Sequence, residues 1–91
     1  MDEVVGKIKI SNDLGVHARA AAKIVALGNK FESRLYLKKG DREVDGSSIL
    51  AILTLSCPKG TEIAARIVGK DSAAFMAGLR ELVERKFGEA K

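Results

Sequence analysis

Residues 4–31, VVGKIKISNDLGVHARAAAKIVALGNKF, change hydrophobic period half-way along, and that change decides the fold. Val4, Gly6, Ile8 and Ile10 alternate with Val5, Lys7, Lys9 and Ser11, the period of a half-buried strand. Asn12-Asp13-Leu14-Gly15 breaks the alternation. From Ala18 the apolar residues Ala20, Ile24, Leu27 and Phe31 recur at helical spacing, over an alanine-rich segment of good helix propensity. Gly28-Asn29 reads as the stop.

The rest of the chain repeats this strand-then-helix logic. Leu35 and Leu37 resume alternation, with Arg34, Tyr36 and Lys38 facing the other way. Gly40-Asp41 reads as a turn into a short third strand around Glu43-Val44. Gly46-Ser47-Ser48 then precedes a dense apolar run, Ile49 to Leu55. Periodicity alone allows a buried strand there; the serines ahead of it favour a short helix. After the loop Cys57-Pro58-Lys59-Gly60, the residues Ile63, Ala65 and Ile67 alternate as a fourth strand. Asp71 or Ser72 is placed to cap a last helix that turns Phe75, Leu79 and Leu82 inward, with Met76 and Val83 beside them. Glu81 and Arg85 make a supporting pair on its wet side. The order is β-α-β-β-α-β-α. One layer of three helices on one face of a four-stranded, mostly antiparallel sheet is the simplest packing of that order, an α+β fold.

Ninety-one residues make a single domain, 1–91, with room for a sheet and one layer of helices. The hydrophobic fraction of 46% and charged fraction of 31% are those of a folded soluble chain. No apolar run reaches the roughly 18 residues of a membrane span, and the acidic start Met1-Asp2-Glu3 does not read as a signal peptide. One cysteine, Cys57, cannot close an internal disulfide, which fits a reducing cytoplasm. The net charge of +4 comes from sixteen basic and twelve acidic residues, and there is one Tyr and no Trp. A solvated basic surface explains that better than a nucleic-acid footprint, because stacking platforms are scarce. A small RNA-binding α+β domain would need exposed aromatics on its sheet, and Tyr36 alone is thin support for one.

His17 is the only histidine, and it directly precedes the first helix. A helix start offers unpaired backbone N–H groups and the positive end of the dipole, which together favour an anion. Arg19 adds a planar, permanently charged donor suited to phosphate. Imidazole is a nucleophile that can take a phosphoryl group and release it again. A helix-capping or merely exposed histidine reads the same from these residues alone. Ser48 stands at the start of the Ile49–Leu55 helix, where it serves as an ordinary N-cap or as a phosphate acceptor. Ile49, Leu50 and Leu53 belong to a helix apolar nearly all round, and a small two-layer domain cannot bury every side of it, which leaves some of them for a partner. There is no second histidine and no cysteine pair to build a zinc site, so no metal is expected. No glycine loop of the nucleotide-binding kinds is present, and no carboxylate pair flanks His17, so a self-contained enzyme is not expected.

Leu14-Gly15-Val16-His17-Ala18-Arg19 resembles the active-site motif of the HPr family, the histidine phosphocarriers of the bacterial phosphoenolpyruvate:sugar phosphotransferase system. Gly46-Ser47-Ser48-Ile49-Leu50 is similar to that family's regulatory-serine segment, and Lys59-Gly60-Thr61-Glu62-Ile63 to the turn leading into its last strand. The resemblance covers nearly the whole chain. It implies an open-faced β-sandwich, and a carrier rather than an enzyme, with no cofactor, acting in the cytoplasm as a monomer. It implies phosphorylation of His17 on Nδ1, with Arg19 holding the phosphate. Ser48 falls where HPr kinase/phosphorylase acts on relatives. The implied donor is Enzyme I, and the implied acceptors are EIIA-type domains. Where the family usually has proline after the arginine, this chain has Ala20. The Asn12–Gly15 segment also resembles the nitrogen-related branch, so a mainly regulatory role outside sugar transport stands as the alternative.

Overall fold

The computed structural model describes residues 2–91. The chain runs β1 (Glu3–Lys9), α1 (Ala18–Gly28), β2 (Arg34–Lys39), β3 (Arg42–Asp45), α2 (Ile49–Thr54), β4 (Glu62–Val68) and α3 (Ser72–Glu84), and ends in a tight turn at Lys86–Gly88. This is the order expected from the sequence. The strands form one sheet in the order β1-β4-β2-β3, and every pairing is antiparallel. The fold is the expected α+β open-faced sandwich.

Register explains where the core lies. Ile8 pairs with Ile63 and Leu35 with Ile67, while Leu37 and Gly6 both face Ala65. Side chains alternate across a strand, so this register brings Ile8, Leu35, Leu37, Ile63, Ala65 and Ile67 to one face, all buried. Ala20, Ala21 and Ile24 from α1, Ile52 from α2, and Phe75, Met76, Leu79 and Val83 from α3 pack onto them, and Ile10, Val16, Leu55, Cys57 and Phe87 from the connecting segments complete the cluster. Each large aliphatic or aromatic side chain so buried contributes about 1.5–3 kcal/mol.

The opposite face is wet. Arg66 reaches Glu43 at 2.9 Å and Glu3 at 3.5 Å, and its guanidinium lies 4.4 Å over the Tyr36 ring. That cation covers the sole tyrosine, and the three phenylalanines are buried or half-buried.

Three local readings change. Phe31 lies past the end of α1 and stacks on Phe75, with ring centroids 4.8 Å apart. Leu82 is half-buried, and Val83 takes the deeper position. Asp71 precedes α3 without capping it by its side chain. Its carboxylate accepts instead from the backbone N–H groups of Glu32 and Ser33, each at 2.9 Å, and from the Ser33 hydroxyl. These bonds tie the entry of β2 to the start of α3 and hold the Asp71 carboxyl below the usual carboxylate range, the Ser33 hydroxyl being the main cause.

Candidate functional site

The site is built where β1 gives way to α1. Asn12 is fully buried, and its Nδ2 donates to the Gly15 carbonyl at 2.7 Å. The Gly15 N–H returns to the Asn12 carbonyl at 3.1 Å, closing a turn. Gly15 has φ +68°, a left-handed backbone that suits glycine. Val16 then donates its N–H to the Cys57 carbonyl at 2.9 Å, which fastens this loop to the one after α2.

His17 is the N-cap residue of α1, with φ −87° and ψ −179°. Its carbonyl accepts from Ala21 N–H at 2.9 Å, the first bond of the helix. The N–H groups of Ala18, Arg19 and Ala20 thus have no helical partner and point out of the helix start. The His17 side chain does not cap the helix. Arg19 is exposed and makes no hydrogen bond or ion pair among the described residues, so its guanidinium is available. The segment therefore concentrates donors and positive potential beside a partly exposed imidazole.

The imidazole has a partner that sequence reasoning missed. His17 Nε2 lies 2.6 Å from Glu89 Oε2, with the two side chains 25% and 12% exposed. Asn12 Nδ2 donates to the other oxygen, Glu89 Oε1, at 3.0 Å. Hydrogen bonds from His17 and then Asn12 hold the Glu89 carboxyl below its ordinary range, and the Arg19 charge adds a smaller push the same way. Glu89 reaches His17 because the chain reverses at Lys86, Phe87 and Gly88, which have φ of 55°, 57° and 81°. Phe87 is buried, the Lys23 ammonium bonds its carbonyl, and Asp13 N–H bonds the Lys91 carbonyl at 3.1 Å. The only sequence signal for this was Gly88, a left-handed stop after a helix.

The second candidate region is α2. Ser48 Oγ accepts from Ala51 N–H at 3.1 Å, the capping bond expected of it, so the apolar run is a helix and not a strand. Ile52 is buried, Leu53 is half-buried, and Ile49 and Leu50 are 37% and 77% exposed. Leu14, in the His17 loop, is 65% exposed. α2 packs against α1. No group of three metal-ligating side chains comes together among the described residues.

A family model described as the PTS HPr component phosphorylation site matches residues 4–85. This chain belongs to the HPr family. It is 41% identical to the phosphocarrier protein HPr of Xylella fastidiosa over 91% of this chain and 93% of that one. It is 32% identical to the phosphocarrier protein NPr of Shewanella violacea over 99% of both. The crystal structure of an HPr from Thermoanaerobacter tengcongensis superposes with a TM-score of 0.90 at 35% identity, covering all of both chains. The chain is accordingly a phosphocarrier of the phosphotransferase system, a protein that carries the group between enzymes and is not itself a catalyst. Glu89 lies outside the matched residues.

Proposed function

We propose that His17 accepts a phosphoryl group from Enzyme I, originating in phosphoenolpyruvate, and hands it to EIIA-type acceptor domains. The observation that carries this reading is the partly exposed imidazole at the start of α1, beside the unpaired N–H groups of Ala18, Arg19 and Ala20. Those donors and the free Arg19 guanidinium suit the dianionic phosphoryl oxygens. Nδ1 is the accepting atom, and the N–P bond is labile enough to pass the group on. Exposed Leu14, Ile49 and Leu50, with half-buried Leu53, supply an apolar docking surface for both partners. The carrier works as a monomer in the cytoplasm, where Cys57 stays reduced and buried. No described helix is long and apolar enough to cross a membrane.

Ser48 supports a regulatory layer on the same surface. A phosphate placed there by HPr kinase/phosphorylase would suit the start of α2 but would set charge against a partner's apolar contact. The likeness to NPr over nearly the whole chain supports a second reading, a nitrogen-related or kinase-controlled regulatory carrier outside sugar transport. The acceptor that takes the group tells the two apart.

Incubation with Enzyme I and labelled phosphoenolpyruvate tests the central claim. Wild type should gain an acid-labile, base-stable label, and His17→Ala none. Label on His17→Ala would overturn the assignment.

A further inference from the structure

We infer that Glu89, supported by Asn12, is a positioning residue for His17: it holds the proton on Nε2 and so keeps the lone pair on Nδ1. The inference rests on the carrier reading and deepens it.

Glu89 presents its carboxylate to the His17 ring. Its two oxygens are each taken by a nitrogen, Nε2 of His17 at 2.6 Å and Nδ2 of Asn12 at 3.0 Å. The Asn12 amide is oriented without ambiguity, because Nδ2 also meets the Gly15 carbonyl and only an N–H₂ group can donate to both acceptors. The orientation is held at a cost: Asn12 Oδ1 is buried without a hydrogen-bond partner. An ionised carboxylate only accepts, so the His17 nitrogen facing it must be the one that carries hydrogen. In the neutral ring the other nitrogen, Nδ1, is then the nucleophile.

Backbone geometry supports the same reading. Lys86 and Phe87 are consecutive non-glycine residues in the left-handed region, followed by Gly88. Such conformations are costly and persist only where surrounding contacts enforce them. Here the contacts are the buried Phe87 ring, the Lys23 bond to its carbonyl, and the Asp13 bond to Lys91. Their joint result is a carboxylate at Nε2. It stands on the far side of the ring from Nδ1, so it leaves the reacting atom open.

In transfer, the Nδ1 lone pair forms the new bond to phosphorus while the donor's bond to phosphorus breaks, leaving its electron pair on the donor atom. The His17 ring then carries positive charge shared with Nε2–H, which Glu89 faces. The carboxylate therefore interacts more strongly with the charged ring than with the neutral one, the condition for lowering a barrier. Release to an acceptor reverses these steps and returns the ring to neutral with the same proton on Nε2.

Nuclear magnetic resonance and transfer kinetics on the full chain test this. In wild type, at a pH where the ring is neutral, a slowly exchanging Nε2–H signal and a bare Nδ1 are expected. Glu89→Ala should lose that signal, show both tautomers, and lower the limiting rate of transfer from Enzyme I by roughly tenfold, the equivalent of one charge-assisted hydrogen bond. The Enzyme I concentration giving half that rate should not change. Glu89→Gln keeps one acceptor for Nε2–H and should recover the signal and part of the rate. An unchanged tautomer and rate in Glu89→Ala, or a change confined to the Enzyme I concentration dependence, would overturn the inference and leave the carrier reading intact. Wild type that takes no phosphoryl group on His17 would overturn both.

Discussion

Gly15 shows how much one residue constrains His17 two positions on. Its φ of +68° is strained for any L side chain, and a Cβ there would lie 2.4 Å from the Cys57 carbonyl oxygen and 2.8 Å from Pro58 Cα. Both obstacles are backbone, so rotamer changes cannot relieve them. Gly15→Ala is expected to cost about 2–4 kcal/mol through left-handed strain and overlap together. In a domain of this size that lowers the melting temperature by roughly 10 °C or more. The Val16 bond to the Cys57 carbonyl should weaken with it, because the two loops must part. A melting temperature within about 3 °C of wild type would show that they part freely.

At the scale of elements, α2 is the clearest case of a segment made by its ends. Six residues are too few for a helix stable on propensity alone, so capping and packing decide. Ser48 caps the start, and at the other end Lys39 donates to the Leu55 carbonyl at 3.2 Å and Arg42 to the Thr54 carbonyl at 3.2 Å. Cations there also suit the negative end of the dipole. Ser48→Ala should therefore cost about 1 kcal/mol, or roughly 4–8 °C in melting temperature. Ser48→Asp keeps an acceptor and adds charge where the dipole favours it, so it should melt near wild type. It should nonetheless slow transfer from Enzyme I, since the charge stands beside exposed Ile49 and Leu50. Melting curves and rates against Enzyme I concentration separate the two effects; a normal rate for Ser48→Asp would leave Ser48 a cap alone. The serines made α2 legible in the sequence because a cap acts within one turn. The Asp71 side chain is the converse case: its bonding partners, Glu32 and Ser33, lie across the fold, and no local signal records them.

The same distinction governs the whole molecule. Strand and helix periods, the helix start at His17 and the Ser48 cap are local, and the sequence displays them. The partner of His17 is not local, since Glu89 arrives from 72 residues away by a reversal that no hydrophobic period encodes. Phe87 anchors that reversal: the residue is 1% exposed although it lies beyond α3. Phe87→Ala removes a buried aromatic and should cost about 3–5 kcal/mol, a large share of the roughly 5–15 kcal/mol that holds a small domain together. The protein should remain folded in the cold, with a lower urea midpoint. It should also transfer more slowly than wild type well below its melting temperature, because the left-handed turn loses the packing that offsets its strain and Glu89 drifts from Nε2. The rate defect should match that of Glu89→Ala, and combining the two substitutions should add nothing to it. Urea unfolding and single-turnover transfer from Enzyme I measure these quantities. A Phe87→Ala protein that is destabilised as expected yet transfers at the wild-type rate would mean that the tail keeps Glu89 on His17 by its other bonds, those of Asn12, Lys23 and Asp13, without help from the core.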